Sequence, residues 1–226
     1  MNRLILSPPF SNIFNFKGVS RIVGTYTASR RRGLWRVLTT LRKAKGGWYN
    51  RGGLRNPGID RLRHPKDIVS ISLLNPGDWD YLHDRMLSKG VSRIELNISC
   101  PNANVSKLNK KIFSEALENY EVVVKMPHGS SYEDVSRYLD YGATTFHVSN
   151  TKLTNKGALS GVDLIETNLR LIETIKEKNE KIKIIGGGGI YDLTTLQRYE
   201  KSGSDHFSLS TVILNPIKFY KIIKNS

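Results

Sequence analysis

The chain has 226 residues, 38% hydrophobic and 24% charged, enough for one globular domain with a sizeable core. It has no bilayer-length apolar run, its opening MNRLILSPPF is too short for a secretory signal, and its one cysteine excludes an internal disulfide, so a cytosolic protein is expected. Lys and Arg number 35 against 20 Asp and Glu; this net charge of +15 favours polyanions such as nucleic acid, anionic membrane surfaces or phosphorylated ligands, without assigning a function.

Short β-rich runs alternate with helix-length amphipathic runs. Strands are expected at 3–6, 20–23, 67–74, 92–98, 121–126, 144–150, 182–185 and 205–210. Helices are expected at 76–90, 109–120, 131–142, 163–179, 192–202 and 215–225. In the first helix Trp79, Leu82, Met86 and Leu87 share one face and Gly90 stops it. Ser131 and Asp134 make a capping-box pattern, and Pro216 suits a first helical turn. The segment after the first strand leaves room for about one or two helical turns. Residues 24–66 show no regular run and read as a long lid or binding loop. Eight strands alternating with helices predict one (β/α)8 TIM barrel of minimal size over residues 1–226, with a long basic loop after strand 2.

Active sites of such barrels lie at the C-terminal strand ends. Those ends gather Asn97, Cys100 and Asn102 after strand four, Lys125 after strand five, and Ser149, Asn150 and Thr151 after strand six. Gly186–Gly189 follow strand seven, and Ser210–Thr211 follow strand eight. The glycine run matches neither the P-loop nor the dinucleotide fingerprint, and alone it reads as a flexible turn. Between strand seven and a helix, with hydroxyls after strand eight, it suits a phosphate. Lys125 reads either as a surface lysine or as a cation holding an electron-rich ring. The histidines show no metal-ligand spacing with one another or with Cys100, so no metal is expected, and His147 and His206 read as packed strand residues. Cys100 alone reads as filler or as a reactive group.

The stretches ELNISCPN, VVVKMP, SNT followed by GALSG, IIGGGGI, SLSTVIL and NRGGLRNPGID, in this order along roughly residues 24–214 apart from the last, which lies in the loop at 50–60, resemble the dihydroorotate dehydrogenase family. The resemblance implies a (β/α)8 barrel that binds FMN at its C-terminal face and oxidises dihydroorotate to orotate in pyrimidine synthesis. It implies that Cys100 is the base. It places Asn50, Gly53, Leu54, Asn97, Asn102, Asn150 and Thr151 around the substrate. It places Lys125, Asn97, Gly161, Gly186, Gly188, Gly189, Ser210 and Thr211 around FMN. A homodimer is common in the family.

Three features depart from that pattern. Gly24 stands where the family carries a strand-two lysine, and Arg30, Arg31, Arg51 or Arg55 would have to supply the charge. Cys100 resembles the soluble class whereas GALSG and SNT resemble the quinone-dependent class. The chain is also short. The basic, Trp-containing stretch 29–55 reads as a lid with a solvated face, or as a nucleic-acid or membrane surface. Alternative readings are a tRNA dihydrouridine synthase-like FMN enzyme and a catalytically weakened flavin-binding barrel.

Overall fold

The computed structural model describes residues 1–31, 40–99, 108–149 and 151–225. Its strands are β1 (Leu4–Leu6), β2 (Ser20–Tyr26), β3 (Leu41–Ala44), β4 (Gly47–Asn50), β5 (Ile68–Ile71), β6 (Arg93–Asn97), β7 (Glu121–Lys125), β8 (Thr145–Val148), β9 (Lys152–Thr154), β10 (Gly157–Gly161), β11 (Lys183–Gly187) and β12 (His206–Leu209). Its α-helices are α1 (Asp78–Ser88), α2 (Lys110–Asn119), α3 (Tyr132–Leu139), α4 (Ile165–Lys178), α5 (Leu193–Lys201) and α6 (Pro216–Lys224). Strands β1, β2, β5, β6, β7, β8, β11 and β12 close into a parallel TIM barrel, with β12 pairing back onto β1. All eight match the expected strands, and the six helices match the expected ones within a few residues. No described helix is long and apolar enough to cross a membrane.

The helix starts follow local chemistry. Side chains of Asn109, Ser131, Asp192 and Asn215 accept hydrogen bonds from backbone N–H groups that the first turns leave unpaired. Ser131 and Asp134 form the expected capping box, and Pro216 occupies the first turn of α6. In α1 the buried face is Trp79, Leu82 and Met86, but Leu87 is exposed and does not share it.

Residues 24–66 are not all irregular, contrary to the expectation. They hold β3 and β4, which join β10 and β9 in an antiparallel sheet ordered β3-β4-β10-β9. Gly46 turns the first hairpin at a positive φ of 73°. Gly161 packs so close to Gly46 that an added Cβ would lie 2.2 Å from its carbonyl oxygen.

Strand alternation divides the barrel wall into two faces. Ile94, Leu96, Val122, Val124, Phe146, Ile184 and Phe207 belong to the large core beneath the helices. Inside, Ile5, Ile22, Ile68, Val123 and Ile185 form a separate apolar floor. Towards the C-terminal ends the barrel strands, β6, β8 and β12 among them, turn in polar residues: Ser7, Ser70, Glu95, Asn97, His147 and Ser208, all buried.

Candidate active site

At that polar end a cleft is lined by Ser7, Pro8, Lys125, Ser149, Thr151, Ser160, Leu164, Gly188, Gly189, Ile190, Ser208, Ser210 and Thr211. Strand ends from opposite sides of the barrel meet there because the parallel strands all finish on this face. Lys125 is the only charged residue among these lining groups. Gly188 and Gly189 have φ of 84° and 86°, so the chain turns where L side chains are strained. A Cβ on Gly189 would lie 2.5 Å from the Gly161 carbonyl oxygen. These glycines therefore make a side-chain-free cradle beside a ring of hydroxyls, which fits a phosphorylated, polar ligand.

Of the residues proposed to hold a cofactor, Lys125, Gly188, Gly189, Ser210 and Thr211 line this cleft, and Gly161 abuts Gly189. Gly186 does not line it: its α-carbon is packed against Tyr199 and Ser204, and a Cβ would come within 2.2 Å of the Ser204 hydroxyl. Of the substrate candidates, Thr151 lines the cleft, and Asn97 sits on the neighbouring strand opposite Lys125. The Asn97 amide donates to Thr25 Oγ1 at 2.9 Å and accepts from Ser99 Oγ at 2.6 Å, which leaves one amide N–H without a partner among the described residues. Asn50 ends β4 and its side chain accepts from the Gly52 N–H; Gly53 and Leu54 follow in the loop. Cys100, Asn102 and Asn150 lie outside the described residues.

Gly24 has a φ of 118°, and an added Cβ would lie 2.5 Å from the Ser70 carbonyl oxygen. The Asn12 side chain clamps it, accepting from its N–H at 2.8 Å and donating to its carbonyl at 2.6 Å. This backbone has no room for a lysine side chain. None of Arg30, Arg31, Arg51 and Arg55 lines the cleft. Arg51 instead donates to the Lys156 carbonyl.

Beneath the cleft runs a buried polar chain that sequence reasoning missed. Asn97 donates to Thr25, Thr25 contacts Ser70 at 2.9 Å, and Ser70 donates to Glu95 Oε1 at 2.6 Å. His147 Nδ1 meets Glu95 Oε2 at 2.5 Å, and both side chains are fully buried. Burial pushes the Glu95 carboxyl up, but Lys125, His147 and the hydrogen bonds outweigh it and hold its pKa at about 2. Burial pushes His147 down, against the pull of Glu95. The pair is therefore a carboxylate accepting from a neutral imidazole. The expectation that His147 is packed holds, but its Nε2 has no partner among the described residues. Asn56 was missed too: it is buried and ties Thr27 to Leu54 and Gly58, fixing the 50–60 loop against the end of β2. Among the described residues no three His, Cys, Asp or Glu side chains converge as a metal site requires.

No protein-family model matches the chain. It is similar to the protein named dihydroorotate dehydrogenase B (NAD+), catalytic subunit, in three organisms. The Thermoplasma volcanium protein is 23% identical over 73% of this chain, and the match spans 65% of that relative's length. The Malacoplasma penetrans protein is 24% identical over 95% of this chain and 82% of its own. The Desulforamulus reducens protein is 28% identical over 81% and 73%. Among solved structures, the ligand-free DHODH of Eimeria tenella superposes with a TM-score of 0.76 at 18% identity, covering 97% of this chain and 82% of that one. With the ordered motifs and the barrel that carries them, the chain is similar to dihydroorotate dehydrogenases in sequence over most of its length, and it shares the barrel fold of a solved one.

Proposed function

We propose that the protein is an FMN-dependent oxidoreductase that converts dihydroorotate, or a closely similar dihydropyrimidine, to orotate in pyrimidine biosynthesis. The observation that carries this reading is the meeting of Lys125, the Gly188–Gly189 cradle and a ring of hydroxyls at one barrel mouth, in a chain whose relatives bear that name. Gly188, Gly189, Ser210 and Thr211 would take the phosphate, with Gly161 and Gly186 shaping the backbone around them. Lys125 would present its donors to the electron-rich edge of the ring. Bound FMN would supply the hydride acceptor. Cys100 would remove the ring proton, so that loss of one proton and one hydride leaves the new double bond of orotate. Asn50, Gly53, Leu54, Asn97, Asn102, Asn150 and Thr151 would surround the substrate. Amide groups suit a ring whose edge alternates donors and acceptors. A cytoplasmic site of action, and a homodimer, belong to the same reading.

Reconstitution with FMN tests it: one flavin per chain is expected, and a chain that takes up none contradicts it. The Cys100→Ala variant should keep its flavin yet turn over about 10²–10⁴-fold more slowly. The clamped Gly24 favours a second reading, a flavin-binding barrel with weakened turnover. On that reading the wild-type chain binds flavin but dihydroorotate leaves it oxidised.

A further inference from the structure

Lys125 combines two properties that usually conflict. It stands in the barrel mouth close to a buried carboxylate, yet its ammonium makes no hydrogen bond or ion pair among the described residues. The reason lies in Glu95. Its Oε1 accepts from Ser70 at 2.6 Å and its Oε2 from His147 at 2.5 Å, so at either oxygen the lysine would have to compete with a short hydrogen bond already in place. Register puts these groups together: Asn97, Lys125 and His147 lie side by side across β6, β7 and β8, with Glu95 one inward position below Asn97.

We propose that Glu95 and His147 are positioning residues for Lys125: Glu95 supplies the buried counter-charge that keeps the ammonium in the mouth, while His147 and Ser70 occupy both carboxylate oxygens, leaving the lysine N–H groups free for an anionic or electron-rich ligand.

The hydrogen bonds run in one direction. Ser70 spends its proton on Glu95, so Thr25 must donate to Ser70, as Asn97 donates to Thr25. Every link points at the carboxylate, which suits an acceptor-only group. Neutral His147 donates through Nδ1 and keeps a lone pair on Nε2, which is buried without a partner among the described residues. A second proton there would put an unpaired cation beside Lys125. The trio therefore carries one positive and one negative charge. No other described ionisable group faces it: β1, β2, β5, β11 and β12 turn in Ser7, Thr25, Ser70, Gly187 and Ser208, and β8 adds Ser149. That the ligand is a flavin rests on the reading above, whereas the charge arrangement does not.

Competitive acetylation of the full flavin-free chain across pH, read at Lys125 by mass spectrometry, tests the arrangement. In Glu95→Gln the amine should begin to react at a pH about one unit lower than in wild type, because its counter-charge is gone. In His147→Phe the freed Oε2 should capture the ammonium and move the onset to higher pH. Identical profiles in all three proteins overturn the proposal; should Glu95→Gln fail to fold, a wild-type profile in His147→Phe does so alone. A second arm separates this proposal from the functional reading. In FMN-loaded protein, Glu95→Gln should raise the flavin reduction potential. If wild type binds no flavin, the functional reading falls and the amine profile still decides the proposal. If flavin binds and the amine profiles are identical, the proposal falls and the functional reading stands.

Discussion

Two layers of one barrel follow opposite rules. The floor of Ile5, Ile22, Ile68, Val123 and Ile185 is apolar, and its stability comes from excluding water. Beside and above it, Ser70 of β5, Glu95 and Asn97 of β6 and His147 of β8 are buried, held by hydrogen bonds that leave His147 Nε2 without a partner among the described residues. The difference teaches that the fold is secured low in the barrel, so the mouth is free to hold groups that cost stability and serve a ligand.

The sharpest way to break this comparison is to move a charge into the floor. Ile185→Glu would bury a carboxylate among isoleucines with no partner, and no cooperative unfolding transition is expected in a urea titration. In the polar layer, Glu95→Ala leaves the buried donors of His147 and Ser70 without their acceptor and should cost about 2–6 kcal/mol, about 1–3 for each donor, read from the shift in urea midpoint. A cost well under 1 kcal/mol would show that the pair is not held as described. Restoring the family lysine should not help: Gly24→Lys forces a Cβ into the Ser70 carbonyl at positive φ and should cost about 1–3 kcal/mol in the same titration, with no gain in turnover.

The mildest expected effect is on pH. Glu95 and His147 both have lowered folded-state values, so below those of the unfolded chain the unfolded state binds more protons. Stability should fall as pH drops below 6.5, the ordinary histidine value. It should fall again from 4.5 down to about 2 as Glu95 is protonated. Urea midpoints across this range would show both stages, and His147→Phe should lose the first.

The floor and the barrel were legible because β-branched runs and helical spacing are local signals. The alternation of DIVSISLL or EVVVKM with amphipathic helices is enough to place them. Glycine punctuation at Gly186–Gly189 and the strand-end position of Lys125 likewise marked the mouth. The mouth sheet was missed although its hairpins carry turn signals, Lys45-Gly46 and Asn155-Lys156-Gly157, because β3 and β9 have little apolar alternation and gain their order by pairing across the chain. Glu95 and His147 were not legible as a pair. They are 52 residues apart, and only barrel register brings them within a hydrogen bond.

Anaerobic titration of the FMN-loaded chain with dihydroorotate, followed by flavin absorbance, tests the proposed reaction most directly. Stoichiometric bleaching, lost at the same substrate level in Lys125→Ala, is the predicted result. A flavin that binds one-to-one and stays oxidised through excess dihydroorotate would contradict it.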